Sequence, residues 1–133
     1  MPDRRCGGSH DVDPAELRAD LLDSLVALGA AADHIRHALS AAGGAYSVLR
    51  SHLGAEGKVT ELLGLIDPIP LRADLSEASM ELERARHRSQ RLVFKLLHVE
   101  GLTKAEIARG WGVSRQLVSR LINEPEPDAP ATR

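Results

Sequence analysis

Aromatic side chains are almost missing from this sequence: Tyr46, Phe94 and Trp111 are the three among 133 residues. A core must then be built from aliphatic side chains. β-Branched residues are also scarce, with 16 Val, Ile and Thr together against 18 Ala and 20 Leu. Ala and Leu favour helices and β-branched residues favour strands. This balance excludes an all-β fold and predicts an all-α one, a bundle of close-packed helices. The one cysteine, Cys6, excludes an internal disulfide and a cysteine-based zinc finger. In its polar surroundings it reads as a free surface thiol. No apolar run approaches the ~18 residues of a membrane span, and no apolar signal segment follows Met1. These absences predict a cytoplasmic protein with no membrane contact.

The net charge of -2 hides a segregation. Residues 1–83 carry 7 basic and 14 acidic side chains, whereas residues 84–123 carry 9 basic and 2 acidic ones. The remaining stretch, 124–133, has 1 basic and 3 acidic side chains. A basic block of that density points to a polyanion as partner. Basic residues matched to the dipole of a long helix would explain Arg84 to Lys95, but not the basic residues that continue past Gly101.

Residues 1–12 read as a disordered N-terminus. Asp13-Pro14 reads as a helix start, with Asp as N-cap and Pro at the first helical position. Apolar residues then recur in steps of three or four: Leu17, Leu21, Leu25, Leu28, Ala32, Ile35, Leu39, Ala42, Tyr46, Leu49 and Leu53. This is one amphipathic stripe. Gly43-Gly44 predicts an interruption, giving either one long kinked element or two helices near 14–42 and 45–54. The stripe reads as core rather than as the lining of a ligand pocket. A short apolar helix is predicted from Val59 to Ile66, and Asp67-Pro68-Ile69-Pro70 ends it. That segment divides an acidic helical region, 13–67, from a second region, 71–123.

The second region opens with a long helix from about Leu71 to Val99. Leu75, Ala78, Leu82, Ala85, Ser89, Leu92 and Leu96 form a strict 3-4 seam along it. Such a helix spans roughly 43 Å and must pack on the first region, on a second copy, or on both. Gly101 ends it. Thr103-Lys104-Ala105-Glu106 is a capping box that starts a short helix reaching about Gly110. Ser114 caps another helix that runs to about Ile122. Residues 124–133 form an acidic, Pro-rich tail, read as disordered.

Twenty consecutive residues, Lys104 to Asn123, read KAEIARGWGVSRQLVSRLIN. Ala108 is small where two helices must cross. Gly112 falls at the turn, where a left-handed backbone favours glycine. Ile107, Trp111, Val113, Val118 and Leu121 are the apolar positions that close a small core. This layout resembles the helix-turn-helix DNA-binding motif of the Hin/resolvase type and of many small bacterial transcriptional regulators. The resemblance covers residues 103–123, or about thirty-five residues if the end of the long helix is counted. It departs from the resolvase pattern at Gly110, where a helix former is usual. Nothing in the first region suits a recombinase catalytic domain, so the resemblance implies DNA binding and not recombination.

In such motifs the second helix enters the major groove and its N-terminal residues meet base edges. The resemblance therefore implies base reading by Ser114, Arg115, Gln116, Ser119, Arg120 and Asn123, all outside the apolar set. Arg matches guanine O6 and N7, and Gln or Asn matches adenine. Thr103 and Lys104, at a helix N-terminus, are expected on phosphates, with Arg91 and Lys95 extending that track. The partner expected is double-stranded DNA, bound by a homodimer that reads two half-sites. A transcriptional regulator in the nucleoid fits best. A phage, plasmid or partition protein shares that chemistry. A protein-interaction adaptor, antitoxin-like and working through residues 13–67, is the reading from another class.

Other constellations carry less. His34 and His37, with Asp33, have a metal-like spacing, but a third ligand such as His52 would have to come from elsewhere, so no metal is expected. The sequence lacks a Gly-rich phosphate loop and a nucleophile elbow. No enzyme activity and no cofactor are expected.

Overall fold

The computed structural model describes residues 13–126. Among them every regular element is a helix, in keeping with the all-α expectation. The order is α1 (Pro14–Gly54), a 3-10 turn (Val59–Gly64), α2 (Pro68–Val99), α3 (Lys104–Trp111) and α4 (Arg115–Asn123). None of these helices is long and apolar enough to cross a membrane. The N-terminus read as disordered, 1–12, and all but the first three residues of the tail lie outside the described residues.

α1 starts as read: the Asp13 carboxylate accepts from the Ala15 N–H at 3.0 Å. It is unbroken at Gly43-Gly44. Two glycines cost a helix roughly 1 kcal/mol each, less than the good helix formers around them return. The predicted helix 59–66 is instead a single 3-10 stretch with no buried residue. α2 begins three residues before the predicted start. Pro68 and Pro70 fall in its first turn, where the N–H that proline lacks has no intrahelical partner to lose.

The described chain forms two compact units, 26–86 and 13–25 with 87–126. Each draws on both of the regions read from sequence. In the first unit, Ala31, Ala38, Ala42 and Ala78 are the buried apolar residues. Small side chains of this kind let helices approach closely but bury little surface. His34 ties the two helical segments together: Nδ1 lies 2.8 Å from the Glu81 carboxylate and Nε2 3.0 Å from Asp74. At the far turn, His52 Nε2 donates to the Lys58 carbonyl at 3.0 Å. A Cβ on Gly57 would stand 2.2 Å from the His52 ring, so any larger residue there must displace that ring.

The His34 contacts predict a pH dependence. Hydrogen bonds to Asp74 and then Glu81 raise its pKa from 6.5 to about 9. A pKa raised on folding stabilises the native state fully below the unfolded value and ceases to do so above the folded one. The melting temperature should therefore fall as pH rises from about 6.5 to 9. His34→Gln should melt lower at neutral pH and lose most of that slope, as thermal melts across the range would measure.

In the second unit the start of α1 meets the end of α2. Leu17, Leu92 and Leu96 are buried together, with Leu21 against them. Ser24 Oγ donates to the Leu21 carbonyl and accepts from Ser89 Oγ at 2.9 Å, a buried hydroxyl pair inside an apolar seam. On another side of α2, Phe94 is fully buried with Ile107, Ala108, Val118 and Leu121. The core is thus not purely aliphatic, as the composition had suggested. Phe94 is its largest apolar member, and Trp111 meets it edge-on with ring centroids 5.3 Å apart.

Candidate nucleic-acid interface

The site is built from two capped helices and one left-handed residue. Thr103 caps α3: its hydroxyl accepts from the Glu106 N–H, and its own N–H donates to the Glu106 carboxylate at 2.8 Å. The Thr103 N–H, and then the Thr103 hydroxyl beside it, hold the Glu106 carboxyl below its ordinary pKa. α3 keeps its helical form through Gly110 and ends at Gly112, whose φ is 74°. That conformation is cheap only for glycine, which explains the residue at the turn. The Gly112 and Val113 N–H groups both donate to the Ala108 carbonyl, closing the turn. The Ser114 hydroxyl then accepts from the Leu117 N–H and starts α4.

α4 is sharply two-sided. Val118 and Leu121 are buried in the Phe94 cluster, with Val113, Leu117 and Ile122 packed against it. Arg115, Gln116, Arg120 and Asn123 are exposed, and Ser119 is half-buried beside them. Spacings of one and four residues place these five on one face. Arg115, Gln116 and Ser119 line a shallow open hollow. Among the described residues, nothing hydrogen-bonds or ion-pairs with the side chains of Arg115, Gln116 or Arg120. Two free guanidinium groups and an amide on one rigid face can donate to phosphates or to base edges.

The residues expected on phosphates fare differently. Lys104 is half-buried on the first turn of α3. Thr103 is occupied by its capping box, so its N–H and hydroxyl are already committed. Arg91, expected on a phosphate, is buried instead. It is 1% exposed and its Nη2 donates to Glu126 at 3.0 Å, with Nε 4.0 Å from Glu124. A guanidinium so enclosed is not presented to a phosphate. Lys95 is half-buried and donates to the Glu124 carbonyl at 3.0 Å. Burial, and then the Arg91 charge, hold its pKa below the ordinary lysine value.

Sequence reasoning missed the counter-charges. Glu124 and Glu126, assigned to a disordered tail, fold back on α2. Glu124 meets His87 at 2.9 Å, and Glu126 takes bonds from both Arg88 and Arg91. Burial pushes the Glu126 carboxyl up, but the two arginines outweigh it and its pKa lies below the ordinary range. The signal was present as an acidic Glu-Pro-Glu directly after a basic block.

The other constellation resolves as well. Both His34 ring nitrogens are taken by carboxylates, and His37 Nδ1 is hydrogen-bonded to the Asp33 carbonyl. Among the described residues, no group of three or more His, Cys, Asp or Glu side chains could hold a metal ion. Comparison of the chain with protein-family models, with curated proteins and with solved structures found no match.

Proposed function

We propose that this chain binds double-stranded DNA through α3, the Gly112 turn and α4, as a homodimeric transcriptional regulator of bacterial type. The observation that carries the reading is the division of α4. Val118 and Leu121 are buried, while Arg115, Gln116, Ser119, Arg120 and Asn123 share the other face. α4 then lies in the major groove, with Arg115 and Gln116 nearest the bases and Arg120 on a base or phosphate. Lys104 is the cation left for phosphate contact once Arg91 and Lys95 are held by Glu124 and Glu126. A phage, plasmid or partition role would use the same chemistry and differ in where its sites lie. A protein-interaction adaptor is the second reading, favoured by the exposed apolar residues Val59, Leu63 and Ile69.

The experiment is a titration of a mixed-sequence duplex at increasing salt. The logarithm of the binding constant should fall linearly with the logarithm of salt concentration, because bound cations release counterions. Lys104→Gln should make that slope shallower by about one per protomer. Absence of binding at low salt would contradict the DNA reading and favour the adaptor.

A further inference from the structure

The apolar stripe of α1 is wider than its contacts within the chain. Alternate members, Leu28, Ile35, Ala42 and Leu49, are buried or half-buried. The members between them, Ala32, Leu39, Tyr46 and Leu53, recur every seven residues and lie along the edge of that face. Leu39 is 56% exposed, Tyr46 57% and Leu53 44%. Positions at the 3-4 spacing between these are Gly29, Arg36, Gly43 and Arg50. Ala32 is half-buried and the other seven positions of this second seam are exposed. Gly43, Tyr46, Ser47 and Arg50 line a hollow on it.

We infer that this second seam docks the same seam of a second copy, with the two α1 helices antiparallel. Three arguments select that occupant. A seam of period seven fits a helix with the same period, and α1 itself has one. The seam is also self-complementary in size. Its N-terminal half is small, with Gly29 and Ala32, and its C-terminal half is bulky, with Tyr46 and Leu53. Antiparallel pairing sets Leu53 against Gly29 and Leu39 against Gly43, and lays the Arg36 guanidinium on the Tyr46 ring. Parallel pairing would stack Tyr46 on Tyr46 and Arg36 on Arg36. Finally, Leu39, Tyr46 and Leu53 stand about half exposed along some three heptads, a length of helix over which an interface of ~800 Å² per partner can form. The unit also needs that area, since its own buried apolar residues are all alanine. The inference deepens the dimer in the proposed function and does not depend on DNA.

The test is sedimentation equilibrium of the full chain without DNA, at micromolar concentrations. The wild type should sediment at twice 14.4 kDa. A double variant, Leu39→Glu with Tyr46→Glu, should sediment at one chain mass with its helical circular dichroism intact, because both side chains lie outside the chain's own core. Gly43→Leu is the second variant. A Cβ at Gly43 meets nothing within 4 Å, and leucine is the better helix former. It should leave the monomer at least as helical while raising the dimer dissociation constant at least tenfold. In a Cys6→Ser background, Leu53→Cys should form no disulfide with its own copy, since antiparallel order separates the two positions. A wild type at one chain mass, or a dimer that withstands both variants, would overturn the inference. A Leu53→Cys disulfide would overturn the antiparallel order.

Discussion

Replacing Phe94 by alanine should destabilise the protein by about 3–5 kcal/mol. The ring is fully buried, and Ile107, Ala108, Val118 and Leu121 are the buried side chains of the same cluster. Truncation removes the edge contact with Trp111 and leaves a cavity where α2, α3 and α4 meet. Small domains are stable by roughly 5–15 kcal/mol in total, so the loss is a large fraction. Urea titration followed by fluorescence of the single tryptophan, Trp111, reads it directly. The unfolding midpoint should drop sharply, and Phe94→Leu, which keeps an apolar side chain in place, should lose less. An unchanged midpoint for Phe94→Ala would mean that this cluster does not hold the three helices together.

Replacing Arg115 by alanine should remove sequence preference while leaving the fold intact. Arg115 is exposed at the first turn of α4 and has no partner among the described residues. Its loss opens no cavity and strands no buried charge. A bidentate arginine–guanine contact discriminates by roughly 1–3 kcal/mol. The proposed dimer would make it twice, so the preference for a specific site over unrelated DNA should fall at least about thirtyfold. Fluorescence anisotropy on the two duplexes at one salt concentration measures that ratio. Equal weakening on both would make Arg115 a phosphate contact instead.

Local signals were legible in the sequence wherever one residue type has one physical use. Thr103 with Glu106, Gly112, Ser114 and Asp13-Pro14 mark helix ends through bonds made within a few residues. The two faces of α4 were legible for the same reason, since one helical period sorts them. Long-range pairing was not. Glu124 reaches His87, and Glu126 reaches Arg88 and Arg91, across more than thirty residues, and no local period announces such a partner. That pairing is why Arg91 reads as a phosphate ligand in sequence and lies buried in the fold. Phe94 sits off the 3-4 seam of α2, so the seam that located Leu92 and Leu96 passed over it. The α1 stripe showed how much apolar surface there is, but periodicity alone could not divide it into the edge packed within the chain and the edge left open.

Selection of sheared genomic DNA by the purified full chain tests whether α4 reads a DNA sequence. The selection is run at near-physiological salt, with Arg115→Ala in parallel. The wild type should enrich one sequence motif, arranged as paired half-sites, and Arg115→Ala should lose it. Recovery of DNA without any motif, equal for both proteins and falling steeply with salt, would contradict sequence reading and leave only phosphate binding. Recovery of no DNA would contradict the DNA interface altogether.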